Sequence, residues 1–408
     1  MQPLNHAERT SLNAAKPTEP REPAEPREPA EPREDGGPAE DDAAAQAPPA
    51  LPEARGPLSA FLFGRLTRAP HDLEEVAVDS GEPALYDEDL QIALHVCYEL
   101  HYQGFDGVDE RWEWHPPLLS LRERLERRLE EGLSQTVRRP APVPASQVPA
   151  ALIRLAGADG PEASDSLEAS DGPEASAGPA EQEDGRRPSL ASFLQHDAGQ
   201  EQFREFVVHR SIYHLKEADP HTWAVPRLRG MAKAALVEIQ ADEYGGGRRE
   251  RMHAELYRAV MRGLGLSDAY GHYLGLVPAI TLAAGNTMSL FGLHRRRRGA
   301  LLGHLAATEM NSSQPNAKYA RGLRRLGADA ATVRFYDEHV QADAVHEQIA
   351  VHDMCGAFAA THPALAADVL FGAACCQTLD RLFALHLLGR WEAGVTSLRD
   401  EGLRGEAG

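Results

Sequence analysis

Of the chain's 408 residues, 62 are acidic and 42 basic, a net charge of −20. The acidic excess sits in two low-complexity stretches: residues 1–54 hold twelve acids against five bases and residues 155–188 nine against two, a net of −7 each. The remainder shows no clustered Lys/Arg face with interleaved aromatics, no apolar leader and no run of 18 apolar residues, which speaks against nucleic-acid binding and membrane spanning and for a soluble, cytoplasmic protein.

In chain order, residues 1–54 repeat EPREPA and end in an Ala/Pro run, a composition that cannot bury an apolar core and predicts a disordered tail. Residues 55–138 recover helical periodicity. DEDLQIALHVCYELHY (87–102) opens on an acidic turn and sets Leu90, Leu94, Cys97 and His101 along one stripe. PPLLSLRERLERRLEEGL (116–133) begins on Pro with interleaved Glu and Arg. Together they predict a small helical docking or dimerisation region. His95 and Glu99 in the first of these helices mimic an i, i+4 ligand pair but have no carboxylate-rich companion helix, so they are read as coincidental.

Residues 139–188, with DGPEAS twice, predict a disordered acidic linker, and residues 401–408 a short tail. Residues 189–400 are the one stretch long enough for a full domain, and nearly all of it has helical period. Breaks such as Asp219-Pro220, Gly245 to Gly247, Gly327 and His362-Pro363 leave about seven helices, hence an all-α bundle. The basic run His294 to Arg298 predicts a solvated loop or helix end. Cys97, Cys355, Cys375 and Cys376 lack metal or redox spacing and predict buried, reduced thiols.

Chemistry enters at YDEHVQADAVHEQ (336–348). At about 100° per residue, His339, Asp343 and His346 fall within roughly 60° of arc, and Phe335 and Ile349 extend the same stripe, which points it inward. Residues seven apart lie roughly 10 Å apart along a helix. His339 and His346 therefore do not share one ion, and the economical arrangement is two metals with one histidine on each.

Partner carboxylates appear in VEIQADEYGGGRRERMHAELY (237–257), where Glu243, Glu250 and His253 would lie within about 80° of arc on a continuous helix. Gly245, Gly246 and Gly247 interrupt it and predict a pliable segment whose order depends on metal. Glu217 precedes Asp219-Pro220 at the end of another helix. Hard oxygen donors with imidazoles and no thiolates suit iron or manganese. Glu309, an acid in the apolar GHLAATEM, either supports ligands from behind or caps the following turn. His209, His214, His221, His304, His352 and His386 are read as ordinary satisfied or solvated histidines.

These residues resemble the heme-oxygenase-like diiron oxidases and oxygenases, the iron-containing redox enzymes. Glu217 is similar to the early-helix Glu of that family, Glu243 and His253 to the Glu and His ten residues apart, and His339, Asp343 and His346 to the late His-x3-Asp-x2-His helix. The resemblance spans residues 189–400 and implies a heme-oxygenase-like bundle without heme, with O2 activation at two Fe(II) ions. The implied reactions are N-oxygenation, desaturation or C–C cleavage of an amine, amino acid or fatty acid. Glu250 resembles an extra ligand of N-oxygenating members. The further cupin domain of the best-known of these has no counterpart after the helical domain.

The expectation is thus an O2-dependent diiron oxidoreductase acting on a small molecule. The resemblance allows an external electron donor and a homodimer through the N-terminal helices. Two alternatives stand beside it. A ferritin-like iron store would use Glu250-x-x-His253 and Asp343-x-x-His346, and a helical interaction protein would use no metal.

Overall fold

A computed structural model describes residues 47–159, 189–399 and 403. The tail and most of the acidic linker lie outside the described residues. Every regular element among those described is helical.

The N-terminal layer comprises α1 (Pro57–Leu66), α2 (Glu88–Glu99), α3 (Pro116–Thr136) and α4 (Val148–Asp159). Asp87 starts α2 by accepting a hydrogen bond from Leu90 N at 3.0 Å, and Glu88 and Asp89 follow in the first turn, where the helix dipole favours negative charge. The expected linker therefore begins later than residue 139. Val148, Ala151 and Leu152 of α4 are buried, and the helix packs on the last helix of the chain. These apolar positions precede the repeat that dominates the stretch's composition.

The larger bundle runs α5 (Leu190–His196), α6 (Gln200–His214), α7 (Asp219–Thr222), α8 (Gly230–Glu243), α9 (His253–Gly263), α10 (Ala279–Leu293), α11 (Arg298–Met310), α12 (Ser313–Arg325), α13 (Ala330–Gln348), a π-helical turn (Ile349–Gly356), α14 (Ala357–Thr361) and α15 (Ala366–Glu392). Eight of these helices have eleven or more residues. Helix α11 lies along α15, α9 along α13, and α8 against the π-helical turn. No single helix among the described residues is long and apolar enough to cross a membrane.

The two layers share one continuous apolar core. The stripe expected to serve docking is spent within the chain: Leu90, Leu94 and Cys97 are buried, and α2 packs on α10. Polar ties reinforce the contact. Arg55 pairs with Glu88 at 2.6 Å and donates to Leu274 O at 2.7 Å, and Asn286 donates to Gln91 Oε1 at 2.7 Å. The basic run lies at a helix end as expected, on a 3-10 turn with Arg295 and Arg296 exposed, and it also ties the layers together, because Arg296 and Arg297 meet Glu130 of α3 at 2.7 and 3.0 Å. All four cysteines are buried and unbridged.

Candidate metal centre

Four elements converge beneath the N-terminal layer. Glu217 lies in the turn after α6, Glu243 ends α8, His253 begins α9, and His339 and His346 sit on α13. The glycines between Glu243 and His253 do not form a weakened helix. Gly245, Gly246 and Gly247 all have positive φ (64°, 62° and 80°), which only glycine adopts readily. A Cβ on Gly245 would approach Met252 N at 2.7 Å. The chain turns sharply there, and Glu243 Oε2 ends 2.8 Å from His253 Nδ1.

The donors form two adjoining groups, each close enough to hold one ion. Glu217, His253 and His339 make one, and Glu243, Glu309 and His346 the other. The histidines seven apart fall in different groups, and the His253 and His339 rings lie 4.3 Å apart. Glu309, left open between a cap and a supporting role, stands in the second group with Oε2 3.5 Å from His346 Nδ1. The Asp343 side chain lies outside the described residues.

Glu250 is not brought to either group. The glycine turn removes the continuous helix that would have aligned it, and it sits exposed on a 3-10 turn, Arg249–Arg251. Two residues not singled out as site residues touch the donors. His214 Nδ1 lies 3.0 Å from Glu217 Oε2, and Asp242 Oδ2 lies 2.9 Å from His346 Nε2. Asp242 adjoins Glu243 in sequence, and His214 stands three residues before Glu217; neither spacing differs from that of an ordinary solvated side chain. The coincidental pair on α2 also has work: Glu99 is buried and holds Lys216 at 2.5 Å and the Tyr270 hydroxyl at 2.7 Å.

Each imidazole is prepared differently. His339 Nδ1–H donates to Phe335 O at 2.8 Å, which aims the Nε2 lone pair into the site, where this buried atom has no hydrogen-bond partner among the described residues. Burial, reinforced by nearby His253, lowers its pKa to about 4, so it is neutral at neutral pH. For His346, burial opposes the charge, but Glu309 and Asp242 outweigh it and raise the pKa to about 9. Both of its ring nitrogens face carboxylates, Nε2 that of Asp242 at 2.9 Å and Nδ1 that of Glu309 at 3.5 Å. Burial alone would raise Glu217, but His214, His339 and His253 overcome it and hold the carboxylate well below its ordinary range. Burial raises Glu309, although His346 opposes it.

Buried oxygen and nitrogen donors, without thiolates, fit iron or manganese. Among the described residues two cavities reach them: one of about 340 Å³ touches His253 alone of the six, beside Asp242, Arg251 and Arg334, and the other touches three. The latter measures about 320 Å³, touches Glu217, Glu243 and His253, and is otherwise walled by Gln103, Lys216, Asp219, Glu255 and Arg258 among others. Gln103 belongs to the N-terminal layer, which therefore forms part of the cavity wall.

No curated protein matches the chain at a significant level. Residues 204–381 match the model of a family described as iron-containing redox enzyme, a span that includes every donor of both groups. The part of the all-α bundle that carries the site is thus similar to the iron-containing redox enzymes, a family of heme-oxygenase-like fold.

Proposed function

We propose that the protein is a non-heme diiron oxidase or oxygenase that uses two Fe(II) ions and O2, with an external electron donor, to oxidise a small organic molecule. The observation that carries this reading is the pair of adjoining three-donor groups, each with its own α13 histidine. Iron, when bound, supplies oxygen activation; Glu217, Glu243, Glu309, His253, His339 and His346 would hold it, and Asp343 is a further candidate from the sequence pattern. The chain's own part is to fix His339 through Phe335 O, to orient His346 through Asp242, and to present one polar cavity to the substrate. His346 must release a proton before Nδ1 can act as a ligand.

A ferritin-like store finds less support, because Glu250 and His253 do not form a ligand unit on one helix face. Anaerobic Fe(II) titration followed by O2 tests the proposal. The expected result is two irons per chain and a transient visible absorption band, and His339→Ala is expected to lose the band together with one iron. A chain that takes up no iron, or one whose band survives His339→Ala, would sink the proposal.

A further inference from the structure

The two cavities that touch the donors are lined with charge: Lys216, Asp219, Glu255 and Arg258 in one, Asp242, Arg251, Arg334 and Glu338 in the other. Such walls hold water and polar solutes. A third cavity, between α6, α10, α11 and α15, touches none of the six donors and has a different character. Ile212, Ala284, Met288, Leu379 and Phe383 supply much of its wall. Its one pair of opposite charges, Arg210 and Asp380, is joined at 3.2 Å on the partly exposed outer side. Its two imidazoles are uncharged at neutral pH, because burial lowers His209 well below the ordinary histidine range and His304 to about 3. His209 also spends both ring nitrogens on the Thr281 and Ser397 hydroxyls. Burial pushes the Cys376 thiol up and keeps it protonated.

The space exists because of residue size. Helix α10 presents Ala284 and Gly285 to it, and a Cβ on Gly285 would meet nothing within 4 Å. Protein interiors hold few voids larger than a water molecule, and a larger side chain at 285 would fill this one. At about 70 Å³ it exceeds the roughly 10–15 Å³ that one water needs and falls far short of the roughly 300–1,000 Å³ of pockets for organic ligands. A few molecules of diatomic size fit. The inner wall approaches the donors at two points. The Tyr213 ring lies 4.9 Å from that of His214, the neighbour of Glu217, and its buried hydroxyl feels the charges of Glu217, Glu243 and Glu309. Thr308, also in the wall, directly precedes Glu309.

We infer that this cavity is a binding site for dioxygen, a small apolar molecule, which enters from the side of Arg210 and Asp380 and passes Tyr213 to the donors. The passage to the donors rests on the diiron reading; the occupancy of the cavity does not.

Methionine methyl groups labelled with carbon-13 report where paramagnetic O2 resides in the iron-free full chain, read by NMR under O2 pressure. The Met288 methyl is expected to relax several-fold faster under O2, whereas Met261 and Met354, similarly buried but outside the cavity wall, change little. Gly285→Leu is expected to abolish the Met288 effect and Gly285→Ala to reduce it. In the iron-loaded chain, Gly285→Leu is expected to keep its Fe(II) uptake and to raise several-fold the O2 concentration at which iron oxidation is half-maximal. A Met288 methyl no more affected than Met261, or one in contact with water alone, overturns the inference, as does Gly285→Leu with an unchanged O2 dependence. Should Gly285→Leu not fold, the wild-type comparison and Gly285→Ala still decide. A chain that takes up no iron defeats the diiron reading and leaves the Met288 methyl to decide the oxygen site by itself.

Discussion

At the residue scale, spacing and environment contributed different things. The four-then-three pattern of His339, Asp343 and His346 is visible in the sequence because helical phase is local, and it implied two metals before any partner was placed. Glu309 gave no such signal, since a lone acid in an apolar helix has no periodic companion; only the approach of α11 to α13 sets it 3.5 Å from His346. Glu250 shows the opposite failure, a periodic pattern projected across a glycine turn that resets the phase. The two acids therefore separate experimentally. Glu309→Gln is expected to weaken Fe(II) binding at one site by roughly 10- to 100-fold, read by anaerobic calorimetry, and Glu250→Gln to leave it unchanged. Equal losses in both would contradict the geometry.

At the element scale, the site depends on how closely helices approach. Helices α11 and α15 meet through paired glycines: a Cβ on Gly303 would run into Val369 O, and one on Gly372 into Ala300 O. In a sequence, glycine inside an apolar helix reads only as a weak helix former, at a cost of about 1 kcal/mol against alanine. The structure reverses its sign, because here alanine overpacks two backbones. Gly303→Ala is expected to destabilise the protein by about 1–3 kcal/mol despite its better helix propensity, measured by urea unfolding. Unchanged or higher stability would show that the two helices can part without loss. The turn at Gly245 to Gly247 belongs to the same scale: it was legible as a break, but its result, Glu243 against His253, required both flanking helices in place.

At the scale of the whole molecule, the N-terminal layer belongs to the same packed body as the donor groups. It shares the core, lends Gln103 to the cavity and sends Glu99 to Lys216, the neighbour of Glu217. Glu99→Gln leaves a buried ammonium without its carboxylate and is expected to cost about 3–5 kcal/mol. Adding Lys216→Met should recover part of that loss in the same unfolding assay; a double variant no more stable than the single one would locate the effect elsewhere. The sequence by itself determined the all-α class and the inward histidine face, and its spacing already put His339 and His346 in separate donor groups, since periodicity, capping residues and ligand spacing are properties of a few consecutive turns. Only the tertiary structure decided that Glu309, Asp242 and His214 adjoin the donors, that Glu250 does not, and that the turn after α2 walls the site. Those contacts join residues from different helices, and their distances depend on packing between helices, which local spacing does not encode.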